Sequence, residues 1–358
     1  MVMRLPVFFI GCGLLTACGF GTDDGRTVGS KGLWVANGTN VVEYNPAQLA
    51  GGTAATAPHV SINSEVFGSP QGMAFDPMGN LWVVDTGAMI KGPPTPALYE
   101  FSAAQLAALA TDNSPDPVAI ITSAFIKTPH QIVIDPLGNA WIADSTANAV
   151  LTYTAAQLAQ TGSNAIGPVL LISSSQFNGA SGIAFDSSGD IWVSNVGTST
   201  AAGTTLVKIA KAHIPAIPEM GTATPQIVAD VTVSDAAGTV QGPWGVAIDP
   251  SDTMWWSNNA KSTVVGLPGA SLVTSTSVPS VTLSSAMVNT VASLNQPHGI
   301  CIDDVGTIAV VNANGSFGIA VFGTSQLTTG SPTPSTFIVG TATTLNEPQG
   351  CAFGPTVK

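Results

Sequence analysis

The feature that most constrains this chain is a unit of sequence that keeps coming back. It reads Ser69-Pro70-Gln71-Gly72-Met73-Ala74-Phe75-Asp76-Pro77-Met78-Gly79-Asn80-Leu81-Trp82-Val83-Val84-Asp85, and it returns at 128–144, 180–195, 242–258 and 296–312. The turn aspartates Asp76, Asp135, Asp186, Asp249 and Asp303 lie 59, 51, 63 and 54 residues apart. A sixth opening half, 347–354, stands near the C-terminal end, and the second half that it lacks, 32–37, stands ahead of the first full unit. The two ends of the repeat array therefore share one unit, which predicts a closed ring rather than an open stack.

Within each unit large and small residues alternate, as in Met73-Ala74-Phe75 and Ile183-Ala184-Phe185. A period of two marks strands. The Asp-Pro-x-Gly-Asn segment supplies a hairpin turn: Asp accepts backbone N–H groups, Pro presets φ, and Gly takes the positive φ. A second strand follows, centred on Trp34, Trp82, Trp141, Trp192 or Trp255, with Ala309 in the remaining unit. A third strand ends near Tyr44, Phe101 or Tyr153. Next come single helical turns at 46–49, 103–106 and 155–158, then fourth strands such as 117–122 and 168–173. Six units of four antiparallel strands predict an all-β chain folded as a six-bladed β-propeller over residues 31–358.

The pattern Pro-x-Gly-Ile-Ala-x-Asp-x-x-Gly-x-Leu-Trp-Val-x-Asp resembles NHL-repeat propellers. It is also similar to the wider group that holds gluconolactonases, streptogramin lyases and peptidyl-hydroxyglycine lyases. In a blade of this kind the first strand lines the central channel. The residue that precedes the repeat's Gly then rings the channel mouth: Gln71, His130, Ser181, Trp244, His298 and Gln349. Fourteen positions later stand Asp85, Asp144, Asn195, Asn258 and Asn312, with Asn37 completing the set for the shared unit. In the gluconolactonase group metal ligands include residues at the pre-Gly position, and in the hydroxyglycine lyases histidines there hold zinc. The resemblance thus implies a divalent metal in the central channel, held here by His130 and His298.

Read from the residues alone, each candidate has more than one role open to it. His130 and His298 occupy blades three apart and either ligate a metal, act as a general base or simply line the channel. Asp144 either orients His130 or closes the next turn through its carboxylate, and Asp85 stands in the same position. Trp244 is a stacking platform for a ligand or part of an aromatic cluster with Trp255 and Trp256. Gln71 and Gln349 either read a sugar or peptide by hydrogen bonds or hydrate the channel. Loops on this face differ in length (86–97 with Lys91, 196–204, and a short one after Asp144), which is where a binding preference would be built.

Composition sets the surroundings. Only 8% of the 358 residues are charged, 45% are hydrophobic, and mean hydropathy is +0.36. The longest apolar run, 5–15, is too short to span a bilayer as a helix, which takes roughly 20 residues. Nine Lys and Arg scattered singly through a chain of net charge −12 exclude a nucleic-acid surface. Residues 1–17 carry Arg4, an apolar stretch and Leu15-Thr16-Ala17 before Cys18. This resembles the lipobox of bacterial lipoproteins, and implies removal of 1–17, lipidation of Cys18 and a tether over 18–30; an ordinary secretory signal is the alternative. Either address is extracytoplasmic and would permit a disulfide between Cys301 and Cys351, although two strand cysteines alone leave the pairing open. The reading is a monomeric propeller anchored in the bacterial cell envelope through Cys18, binding a protein, peptide or glycan at its channel mouth. The second reading is a metal-dependent lyase or hydrolase using His130 and His298, with Asp144 or Asp85.

Overall fold

The computed structural model describes residues 31–357, apart from 88–94, 199–200, 219–220, 235–239, 272–274, 277–280 and 315–316. The signal segment, Cys18, the tether, and the 86–97 loop from residue 88 to 94 with Lys91 lie outside the described residues. Among those described, strands dominate and arrange as a six-bladed β-propeller. Blade I joins the two ends of the repeat array. Its innermost strand Pro348–Gly354 pairs antiparallel with Gly32–Asn37, followed outward by Asn40–Tyr44 and Val60–Ile62. Blade II runs Pro70–Phe75, Leu81–Asp85, Ala97–Phe101, Ala119–Thr122. Blade III is Pro129–Ile134, Ala140–Asp144, Ala149–Tyr153, Leu170–Ser173. Blade IV is Ala180–Phe185, Ile191–Thr198, Ala201–Ile209, Val231–Ser234. Blade V is Pro243–Ile248, Thr253–Asn258, Thr263–Pro268, Val281–Ser284. Blade VI is Pro297–Ile302, Ile308–Asn312, Gly318–Phe322, Thr336–Val339.

The hairpin between first and second strands shows why Asp and Trp recur together. In blade III, Asp135 Oδ1 accepts the N–H of Leu137 and Asn139, while Oδ2 accepts the Asn139 amide and the Trp141 indole N–H at 3.0 Å. Asp76, Asp186 and Asp249 hold Trp82, Trp192 and Trp255 in the same way. In blade I the partner of Trp34 Nε1 is the carbonyl of Pro355. One carboxylate thus sets the turn and satisfies the polar atom of a core ring packed between blades, where an unpaired donor would be costly. Blade VI has Ala309 at the Trp position, so Asp303 keeps only turn bonds. Asp135→Ala is therefore expected to destabilise the chain by roughly 1–3 kcal/mol more than Asp303→Ala, the cost of an orphaned buried donor. Urea unfolding of the two variants checks this.

The blade edges are covered by a device that the repeat does not announce. The connection between third and fourth strands reaches back and lies along the outermost strand of the preceding blade. Gly52–Ala54 pairs parallel with Thr336–Val339, Gly162–Ala165 with Ala119–Thr122, and Ser275–Thr276 with Val231–Ser234. Shorter bridges do the same at Leu170, Ser173 and Leu283. An outer strand with free N–H and C=O groups would invite pairing with other chains, and this lacing occupies it. Two of the predicted helical turns open the connections from third to fourth strand in blades II and III: Ala103–Ala107 and Ala155–Leu158 carry capping boxes from Ser102 with Gln105 and from Thr154 with Gln157. The third, at 46–49, is a run of turns in which Asn45 and Gln48 exchange the same pair of bonds.

Cys301 and Cys351 are joined by a disulfide with a Cα–Cα distance of 5.8 Å. It links the innermost strands of blades VI and I, which are neighbours in the ring. The pairing left open by the sequence is resolved because repeat geometry sets these two positions side by side.

Candidate functional site

The six innermost strands crowd the axis so closely that the pre-Gly residues form a small funnel instead of an open pore. A Cβ added at Gly72 would come within 2.3 Å of the His130 carbonyl, and one at Gly350 within 2.3 Å of the Gln71 carbonyl. The repeat's Gly is thus required by strand-to-strand approach. Blade III departs from this: Gln131 stands where the other units have Gly. Its amide crosses to two further blades, donating from Nε2 to the Val246 carbonyl at 2.9 Å and accepting at Oε1 from the N–H of Ile183 and Val246. Gln131 therefore plugs the channel. The exception to the Gly position was the available signal, and composition or spacing alone conceals it. Gln131→Ala is expected to destabilise the fold by roughly 2–4 kcal/mol, since three backbone groups of blades IV and V lose their partner. Denaturant unfolding measures it.

Above the plug lies a cavity of about 40 Å³ lined in part by Gln71, His130, Ser181, Trp244 and Gln349. That is room for roughly three waters. His298 stands just outside it. The Trp244 ring stacks on the His298 imidazole, with centroids 4.1 Å apart and planes at 8°, and meets His130 edge-on at 4.8 Å. Serines of the second strands hold Trp244 and His298 in place. Ser194 accepts from Gly182 N and donates to the Trp244 carbonyl, both at 2.7 Å; Ser257 accepts from Gly245 N and donates to the His298 carbonyl.

Both imidazoles are neutral near pH 7. Exclusion of water, and then the neighbouring His298, push His130 down to about 4. Exclusion of water also brings His298 to about 4, against the opposing hydrogen bond to Gln349. His298 Nδ1 lies 2.7 Å from Gln349 Oε1, whose amide nitrogen donates to the Glu347 carbonyl. This orientation makes Nδ1 the protonated nitrogen of His298. His130 Nε2 is 2.9 Å from Ser145 Oγ, while His130 Nδ1 and Ser181 Oγ are buried without a protein partner.

The second set of residues does not join the funnel: of the two roles open to Asp144 and Asp85, the structure shows turn closure, which corrects the ligand-facing one. Asp144 is fully buried and accepts the N–H of Lys127, Thr128 and Ala147, so Ser145, not Asp144, is the partner of His130. Asp85 likewise accepts from Gly68, Ser69 and Gly87. Asn195, Asn258, Asn312 and Asn37 each accept from the backbone of an incoming loop in the same way. In register, Asp85 stands opposite Pro70 and Asp144 opposite Pro129, one residue from the funnel position. Strand alternation turns them away from the axis.

The donor set does not fit the expected divalent metal. Among the described residues no group of three or more His, Cys, Asp or Glu could surround an ion. His130 and His298 each give one nitrogen to Ser145 or Gln349, and both pack against the indole of Trp244. What the arrangement offers is an aromatic platform rimmed by amide and imidazole groups.

No protein-family model matches the sequence, and no curated protein is significantly similar to it. Solved structures do match. A chain of a nidogen/laminin complex superposes with a TM-score of 0.57 at 11% identity, over 92% of this chain and 100% of that one. The periplasmic gluconolactonase of Pseudomonas aeruginosa gives 0.55 at 11% identity, over 90% and 99%. The likeness is one of fold. A streptogramin B lyase reaches only 0.41 at 14% identity, over 72% of this chain and 66% of that one, and carries no weight here. The neighbours that superpose over nearly the whole chain thus include a chain of a nidogen/laminin complex and a gluconolactonase, and one scaffold serves both.

Proposed function

We propose that this propeller is an envelope-anchored binding module, lipidated at Cys18, that takes a protein, peptide or glycan at its channel mouth. One observation carries the reading. The mouth histidines are bonded within the protein and packed on Trp244 around a cavity of about 40 Å³, so the exposed asset is an aromatic surface rather than a reaction chamber. Trp244 is half-buried, with one face on His298. A rigid aromatic anchor with amides nearby is how sugars and peptide side chains are gripped. The Cys301–Cys351 bridge supports an oxidising compartment.

Screening the purified protein against glycan and peptide arrays tests the reading. Any ligand held at the mouth is expected to bind about tenfold or more weakly to Trp244→Ala, as removal of a central aromatic anchor does. Elemental analysis supplies the opposing outcome. Stoichiometric zinc, iron or calcium that disappears in a His130→Ala, His298→Ala double variant would establish the metal-dependent lyase or hydrolase instead. Incorporation of labelled fatty acid, abolished by Cys18→Ser, tests the anchor.

A further inference from the structure

We infer that the hairpin face of the propeller, opposite the channel mouth, rests on the bilayer surface, with Met78, Leu137 and Val305 seated among the lipid headgroups. This rests on the proposed lipid anchor at Cys18. Among the described residues, the exposed large hydrophobics are Met78 (81% exposed), Leu137 (79%), Val305 (45%), Phe125, Val228 and Met287. The first three occupy one repeat position, the residue before the left-handed Gly of the first hairpin in blades II, III and VI. Scattered exposed apolar residues are ordinary, but three at equivalent tips share one face.

That face is also where the chain enters the fold. Gly32 pairs with Gly354 at the hairpin end of blade I, so the second strand starts there and runs to Asn37 at the mouth. Thirteen positions separate Cys18 from Lys31, a reach of no more than about 45 Å when fully extended. A lipid on Cys18 would therefore tether the chain from its hairpin face. The tips are contiguous there: Lys31 of blade I pairs with Asp304 of blade VI at 3.2 Å, and Gly79 of blade II approaches Pro355 of blade I. The apolar tips thus form an arc across blades VI, I, II and III.

Charge on this arc is subdued. The carboxylates of Asp76, Asp135 and Asp303 accept N–H groups of their own turns, and Asp304 is paired with Lys31. Blades IV and V carry Ser188 and Ser251 at the same tip position; there Asp252 accepts from Ser187, Asp190 pairs with Lys208, and Lys211 lies over Gly189. Apolar tips on one arc and a polar side with a Lys describe an interfacial surface, and the anchor supplies the high local concentration that a few side chains need.

The test uses the full lipidated chain in phosphatidylethanolamine–phosphatidylglycerol vesicles containing bromine-labelled acyl chains. A fluorophore is placed on Met78→Cys, Leu137→Cys or, on the mouth side beyond Asp144, Thr146→Cys. The other cysteines of the mature chain are lipidated or paired under this reading, so the new thiol takes the label. Fluorescence at 78 and 137 is expected to fall at least about twofold with brominated lipid, and to stay unchanged at 146, as for side chains seated in the interface. Quenching at 146, or none at 78 and 137, overturns the inference. A blue shift at 78 and 137 without quenching also overturns it, since a protein then covers the tips. The mass of the N-terminal fragment separates the two claims. A lipidated chain with unquenched tips defeats this inference alone, whereas an unlipidated chain defeats the anchor and the inference together.

Discussion

Replacing Cys301 and Cys351 together by alanine is expected to lower the unfolding free energy by about 4 kcal/mol, from the chain entropy of a loop of about 50 residues. The position of the bridge makes it consequential. The ring is closed by Pro348–Gly354, a strand near the C-terminal end that lies beside Gly32–Asn37 in blade I. Strand pairing holds it on one side, and the disulfide ties it on the other to the first strand of blade VI. A terminal strand is where a closed fold would otherwise begin to open. Urea unfolding with and without reductant should show the wild-type midpoint falling to that of the double variant. A difference under about 1 kcal/mol would mean that strand pairing alone secures closure.

The second large effect is acid sensitivity of the channel trio. His130 and His298 are held at about 4, below the ordinary histidine value of 6.5. The unfolded chain therefore binds protons that the folded chain refuses between those two pH values. The stabilisation is complete above about pH 6.5 and is lost as pH falls toward 4, on the order of 3 kcal/mol for each histidine. Other buried groups pull the opposite way. Burial raises Glu100 from 4.5 to about 7, so its contribution is present at low pH and fades as pH rises toward 7; burial also raises Glu43 and Asp85, with the same sign. Comparing wild type with a His130→Gln, His298→Gln variant isolates the histidines, because the carboxyls are common to both. The variant should lose markedly less stability between pH 6.5 and 4; parallel curves would refute the assignment.

The hairpins were legible from sequence because their requirements are local. An Asp five residues before the second strand begins satisfies its own turn, and a left-handed Gly follows it, as at Asp135 and Gly138. Such a signal needs no knowledge of distant residues. Circular closure was legible because half units cannot pair with themselves. Ring occupancy by Gln71, His130, Trp244 and Gln349 was legible too, since alternation and repeat position settle which residues face the axis. The role of Asp144 was legible only as a choice between orienting His130 and closing the next turn; one step of register turns it into the incoming loop, where backbone N–H groups consume both oxygens.

What the sequence determined by itself is the repeating hairpin, the number of blades and the set of residues offered to the axis. These follow from turn chemistry and a period of two, both of which act over a few residues. Only the tertiary structure decided what those residues do to each other. Trp244 packs on His298 of the neighbouring blade VI and on His130 of blade III, Gln131 reaches across to blades IV and V, and Cys301 meets Cys351. Each contact joins residues 50 or more apart in the chain, at distances set by how tightly the six inner strands converge. That convergence is a property of the closed ring and is written in no single unit.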